Sequence, residues 1–225
     1  MTKIVFVAIS PHPPIILPSV GSPENRAQVK NTIKALEDLG KKLKEANPDS
    51  IIISSPHSDW GFEVPLFFLA KDFKGEINPS TKLRVNAEPS RSIKTYLIGL
   101  EEPKFYFEQG KKVYQSISQK SISQKVAIIG SGDMSHCLKE DGPYDFNPDG
   151  PKFDKTLIES LKKKDIETIF KLDEMYPEAG ECGLRSFCFL LGILEASGIN
   201  WQPEILSYEG PFGVGYLVIN FKIGR

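Results

Sequence analysis

At 225 residues the chain is long enough for one sizeable core, and with no break in composition the expectation is a single α/β domain over residues 1–225. Its 28 basic and 29 acidic residues balance to a formal charge of −1. That leaves no electrostatic footprint for nucleic acid or anionic lipid, and no apolar run reaches the roughly eighteen residues a membrane span needs. A small molecule or a protein is the expected ligand; nucleic acid and membrane are not. The opening MTKIVFVAIS runs straight into Pro-His-Pro-Pro without a small-residue cleavage site, and the three cysteines, Cys137, Cys182 and Cys188, lack CxxC spacing. Both features predict a mature cytoplasmic protein in a reducing compartment.

KIVFVAIS (3–10) is a continuous Val- and Ile-rich run, the pattern of a strand buried on both faces, and SIIIS (50–54) is another. Between them Ser22 is a candidate N-cap, Pro23 takes the first helical position, and Val29, Ile33, Leu36 and Leu43 follow at helical spacing up to the Asn47-Pro48 stop. A strand, helix, strand unit of this kind predicts parallel strands joined right-handedly. EVPLFFLA (63–70) and TKLRVNA (81–87) read as two strands, with a helix around 90–100. The tandem pentapeptide SISQKSISQK (116–125) reads as the polar face of a helix leading into the next strand, KVAIIGS. Helices are expected at 150–164 and 165–173, and CGLRSFCFLLGILEAS, apolar almost all round, predicts a helix buried against the sheet. The final PEILSYEGPFGVGYLVINFKI reads as two strands around a glycine-rich turn. Strands alternating with helices point to a three-layer α/β/α sandwich around a mostly parallel or mixed sheet.

The chain has three histidines, and all lie just past the end of an apolar strand: His12 and His57 in Ser-Pro-His, His136 in GSGDMSHC. In open α/β sheets ligands bind beyond the carboxyl ends of the strands. If the strands bearing His12 and His57 are neighbours, about 4.8 Å apart, their imidazoles can converge on one metal ion. Pro11, Pro13, Pro14 and Pro56 stiffen the backbone on either side. For a third ligand the best carboxylate is Glu181, at the start of the buried helix, with Cys182 as a softer competitor and Asp59, Asp133 and Glu209 as the other nearby acids. Two histidines and a carboxylate form a non-haem iron(II) arrangement; the same set with zinc would activate water. His136, unligated, suits a general base, with Ser135 and Asp133 available to orient its ring.

SPHPPIILPSVG, SPHSDW, GSGDMSHCLKEDGPY, ECGLRSF and SYEGPFGVGY, in this order, resemble the LigB-like superfamily of class III extradiol ring-cleavage dioxygenases, most closely its Memo and AmmeMemoRadiSam-system branch. The resemblance covers most of the chain. It implies a LigB-like sandwich in which His12 and His57 match the metal-binding histidines, His136 the catalytic base, and Glu181 the carboxylate ligand, with Cys182 matching the Memo branch. It further implies iron(II), with zinc or copper as alternatives, a small aromatic substrate such as a catechol, and dioxygen. Many relatives carry another histidine, in an Asp-His-Gly type segment, between the second metal-binding histidine and the SGD.SH strand, where this chain has none. That departure keeps a second expectation open: a Memo-like protein that binds metal without ring cleavage, working with a separate protein of a radical-SAM system. The sequence is compatible with a homo-oligomer but does not fix the oligomeric state.

Overall fold

The structure, a computed structural model, describes residues 2–73, 76–79, 91–119 and 124–224. Its strands are β1 (Lys3–Ser10), β2 (Ser50–Ser55), β3 (Glu76–Pro79), β4 (Ser92–Leu97), β5 (Lys125–Ser131), β6 (Asn200–Glu209) and β7 (Tyr216–Gly224). They form one seven-stranded mixed sheet in the order β3-β4-β2-β5-β1-β7-β6. The first five positions run parallel, and β7 and β6 continue antiparallel beside β1.

The continuous apolar strands are buried on both faces because successive side chains alternate. Val7 and Ile9 of β1, Ile52 of β2 and Val126 and Ile128 of β5 enter a core shared with Phe153, Leu157, Phe187 and Leu190. Phe6, Ala8, Ile51, Ile53, Ala127 and Ile129 enter the opposite core, with Leu36, Leu39, Val64 and Phe68. The first core is covered by α4 (Pro103–Ser118), α5 (Asp149–Lys163), α6 (Ile166–Phe170), α7 (Leu172–Met175) and α8 (Leu184–Ser197). The second is covered by α2 (Lys30–Ala46) and α3 (Trp60–Leu69), with the short α1 (Pro23–Gln28) leading in. The three-layer sandwich expected from the alternation of elements is the observed fold. Among the described residues no helix is long and apolar enough to cross a membrane.

Several local expectations are corrected. Residues 63–70 belong to helix α3: Gly61, Val64, Pro65, Phe68 and Leu69 are the buried positions, a 3–4 spacing that an unbroken apolar run conceals. The segment around 90–100 contains β4, in register with β2 from Ser50↔Ser92 to Ser55↔Leu97; its Ile93, Thr95 and Tyr96 suit a strand better than a helix. The helix expected from Ser22 to Asn47 is divided at Val29, with Ser22 Oγ accepting from the Asn25 amide and Asn47 ending it in the left-handed region at φ 44°. TKLRVNA lies outside the described residues, as does the middle of the SISQK repeat, whose start closes α4 and whose last lysine opens β5.

Candidate functional site

His12 and His57 follow β1 and β2, whose carboxyl ends lie on the same edge of the sheet. Those strands are not neighbours: β5 runs between them, so the condition of adjacent strands is not met. Two strand spacings amount to about 9.6 Å, so the rings must reach over the end of β5. β5 ends in Gly130 and Ser131 and is followed by Gly132, small residues over which the two rings can approach. The two imidazole centroids lie 5.1 Å apart with an interplanar angle of 79°. His12 is buried, 4% exposed, and His57 is exposed.

The His12 ring is held in one orientation. Its backbone N–H donates to Asp133 Oδ1 at 2.9 Å, and its Nδ1 lies 3.0 Å from Ser131 Oγ. Ser131 spends its only proton on the Gly61 carbonyl, 2.6 Å away, so its oxygen meets Nδ1 as an acceptor. Nδ1 therefore carries the imidazole proton and Nε2 presents a lone pair, 3.5 Å from Cys182 Sγ and 3.9 Å from Asp133 Oδ2. Burial, reinforced by nearby His57 and opposed by Asp59, lowers the His12 pKa to about 3, which keeps the ring neutral and able to ligate.

Potential ligand atoms of His12, His57 and Cys182 all lie within 4.8 Å of one another, as do those of Asp133, His136 and Cys182. Cys182 belongs to both groups. Glu181 belongs to neither: its carboxylate accepts from the Leu184 amide at 2.6 Å and from Arg185 Nη1 at 3.3 Å. Burial raises Glu181 to about 7, and its position stitches the start of α8 instead of facing the histidines. Cys182 is brought in by two glycines. A Cβ on Gly132 would lie 2.2 Å from Gly183 Cα, so only glycine allows the backbones after β5 and before α8 to touch. The Gly183 amide donates to the Asp133 carbonyl at 2.9 Å, and the Asp133 amide points at Cys182 Sγ at 3.3 Å. Burial raises the Cys182 thiol well above its ordinary pKa, and a cation would take the place of that proton. Two imidazoles and a thiolate fit a first-row transition metal such as zinc, copper or iron.

His136 stands beside this set, with burial lowering its pKa and a buried Nε2 that has no hydrogen-bond partner among the described residues. The Tyr144 ring covers it at a centroid distance of 5.6 Å. Ser135 does not orient the His136 ring: its hydroxyl donates to the Ala179 carbonyl at 2.7 Å and accepts from the Cys137 amide at 3.0 Å. The loop is fixed from below by Asp154, which accepts from the Ser135 amide at 2.8 Å and from the Tyr208 hydroxyl at 2.5 Å. Burial raises Asp154 from 3.8 to about 7. The folded protein therefore keeps a proton that the unfolded chain releases near pH 4, and the resulting stabilisation is complete below that pH and lost as pH rises through about 7. Urea midpoints are accordingly expected to fall between pH 5 and pH 8, and Asp154→Asn should narrow the difference. An unchanged difference would remove Asp154 as its source.

His12, Pro14, His57, Asp59, Trp60, Asp133 and His136 line a cleft of about 320 Å³. That is at the small end of ligand pockets and suits a single-ring molecule better than a dinucleotide. Sequence reasoning identified the three histidines, weighed Cys182 and named Asp133. It gave no role to Ser131, Tyr144 or Trp60, although Trp60 lies three residues past His57 in the second Ser-Pro-His segment.

The chain resembles known proteins at three levels. The crystal structure of Escherichia coli K12 protein JW3007 superposes with a TM-score of 0.56 over 96% of this chain and 99% of that one, at 11% identity, a likeness of fold alone. The Clostridium acetobutylicum protein CA_C1420 is 33% identical over 266 residues, covering 94% of this chain and 56% of its own length. The chain thus spans little more than half of that relative. Residues 6–58 and 58–219 match the family described as the catalytic LigB subunit of aromatic ring-opening dioxygenase, and with that coverage the chain belongs to the LigB family.

Proposed function

We propose that this protein is a metal-dependent oxygenase of extradiol type acting on a single-ring aromatic diol or a close analogue. The observation that carries the reading is the buried His136 Nε2, without a hydrogen-bond partner among the described residues, in a cleft that it lines with His12 and His57, the two histidines grouped with Cys182. His12 Nε2, a His57 ring nitrogen and Cys182 Sγ would hold the metal, leaving open positions toward the cleft. Iron(II) bound there would supply the redox chemistry that lets dioxygen react with the ring. His136 accepts the proton of a substrate hydroxyl at Nε2, and its lowered pKa keeps it unprotonated for that task. Tyr144 packs against that ring and Trp60 lines the cleft. Asp59 is the exposed acid of the lining, which includes no lysine or arginine among the described residues. A neutral or amine-bearing ring therefore suits the cleft better than one bearing a carboxylate.

A second reading, a Memo-like metal-binding protein working beside a radical-SAM enzyme, draws support from the thiol at the third ligand position and from the absence of a histidine between His57 and His136. Oxygen uptake by anaerobically purified, iron(II)-loaded protein separates the two. Uptake is expected with 4-methylcatechol and dopamine, weaker uptake with protocatechuate, and a large loss in His136→Ala. No uptake with any of these by protein of full iron content would favour the second reading.

A further inference from the structure

We propose that Pro65, inside helix α3, sets the tautomer of His12 through Gly61 and Ser131. In an α-helix the amide of residue 65 donates to the carbonyl of residue 61. Proline has no amide proton, and its ring pushes the carbonyl four residues back away from the helix axis. Pro65 therefore leaves the Gly61 carbonyl without its helical donor, although both residues are buried. Such a group needs another partner, and the Ser131 hydroxyl at 2.6 Å supplies it.

That bond fixes the direction of the next one. A hydroxyl has one proton, and Ser131 has given its own to Gly61, so toward His12 Nδ1 at 3.0 Å it acts as an acceptor. The proton of the neutral ring is thereby kept on Nδ1 and the lone pair on Nε2, the atom beside Cys182 Sγ. With an amide at position 65, the helix would satisfy Gly61 itself. The Ser131 proton would then be free to turn toward Nδ1, which would move the ring proton to Nε2 and block the ligating atom. Glycine at 61 belongs to the same device. A Cβ there would lie 2.0 Å from Ser55 Oγ, so glycine lets α3 start hard against the end of β2, within reach of the Ser131 hydroxyl.

The consequence for metal binding rests on the assignment of His12 as a ligand; the tautomer itself does not. The test uses metal-free protein with ¹⁵N-labelled histidine, reading the two-bond ¹H–¹⁵N pattern of His12 at pH 7. The wild type is expected in the Nδ1–H form, and both Pro65→Ala and Ser131→Ala are expected to populate the Nε2–H form. Zinc(II) affinity, measured by competition with a chelator, should fall about tenfold in each, in the range found for partners behind metal-bound histidines. The double variant should bind zinc no worse than Ser131→Ala alone, because both changes cut one relay. Alanine favours a helix over proline, so a Pro65 role confined to the helix would leave the tautomer untouched. A wild type in the Nε2–H form, an unchanged Nδ1–H signal in Pro65→Ala, or additive losses in the double variant would each overturn the proposal. An altered tautomer with unchanged zinc affinity would uphold the relay and overturn only His12 as a ligand.

Discussion

Cys182→Ala is expected to lower metal affinity at least about a hundredfold, while Glu181→Gln leaves it within about threefold. Groups that merely hold a ligand already contribute 10- to 100-fold in such sites, so loss of a ligand should reach or exceed the upper figure. Cys182 Sγ lies 3.5 Å from His12 Nε2, whereas the Glu181 carboxylate is committed to the Leu184 amide and Arg185. The glutamine variant should instead show its effect in stability. Glutamine can still accept from Leu184 but gives up the charge paired with Arg185, a partly buried contact worth about 1–3 kcal/mol. Chelator competition and urea unfolding on both variants read the two effects separately. The reverse outcome, metal lost with Glu181 and kept without Cys182, would return the third ligand to the carboxylate.

The second large effect is expected at a position with no side chain. In Gly132→Ala the new Cβ would meet Gly183 Cα at 2.2 Å, and neither side of that contact has a side chain that could turn away. The loop after β5 and the segment leading into α8 must separate, at a cost of about 1–3 kcal/mol for overpacking of this kind. For a chain of this size each kcal/mol lowers Tm by roughly 2–4 °C. Because Cys182 precedes Gly183, the same displacement draws its sulfur away from the histidines, and metal affinity should fall along with stability. Gly224→Ala, where an added Cβ meets nothing within 4 Å, is the control and should change neither. A Gly132→Ala protein with wild-type Tm and metal content would show that the close approach is dispensable.

The fold was legible where burial on both faces produced unbroken Val and Ile runs, as in β1, β2 and β5, and where α8 was apolar nearly all round. It was misread where a run is compatible with either period. EVPLFFLA has too few polar residues to reveal its helical spacing, and in α3 it carries its proline inside the helix. The histidines stood out because strand ends at one edge of a sheet are close in space whatever their separation in sequence. Strand order was not legible, since neither β1 nor β2 records that β5 will insert between them. The third ligand was ambiguous for a related reason. Glu181 and Cys182 are adjacent, and which one faces the sheet depends on the contact of Gly132 with Gly183, a pairing 51 residues apart that no local pattern encodes.

The loop bearing His136 runs beside the turn between β6 and β7, with Met134 and Leu138 donating to the Gly215 and Gly213 carbonyls and Gly215 donating back to Ser135. His57, which also lines the cleft, has its amide on Ser55 Oγ and is exposed. The two segments are therefore expected to differ in compliance. Ligands of unequal size would be accommodated by displacement of the exposed Trp60 side chain, while the proton-accepting segment keeps its place. Hydrogen exchange should register this as slow amides at Met134, Leu138 and Gly215, opening together, opposite a faster His57 amide. A cleft built this way fixes where a proton leaves the ligand and lets the shape of the ligand vary.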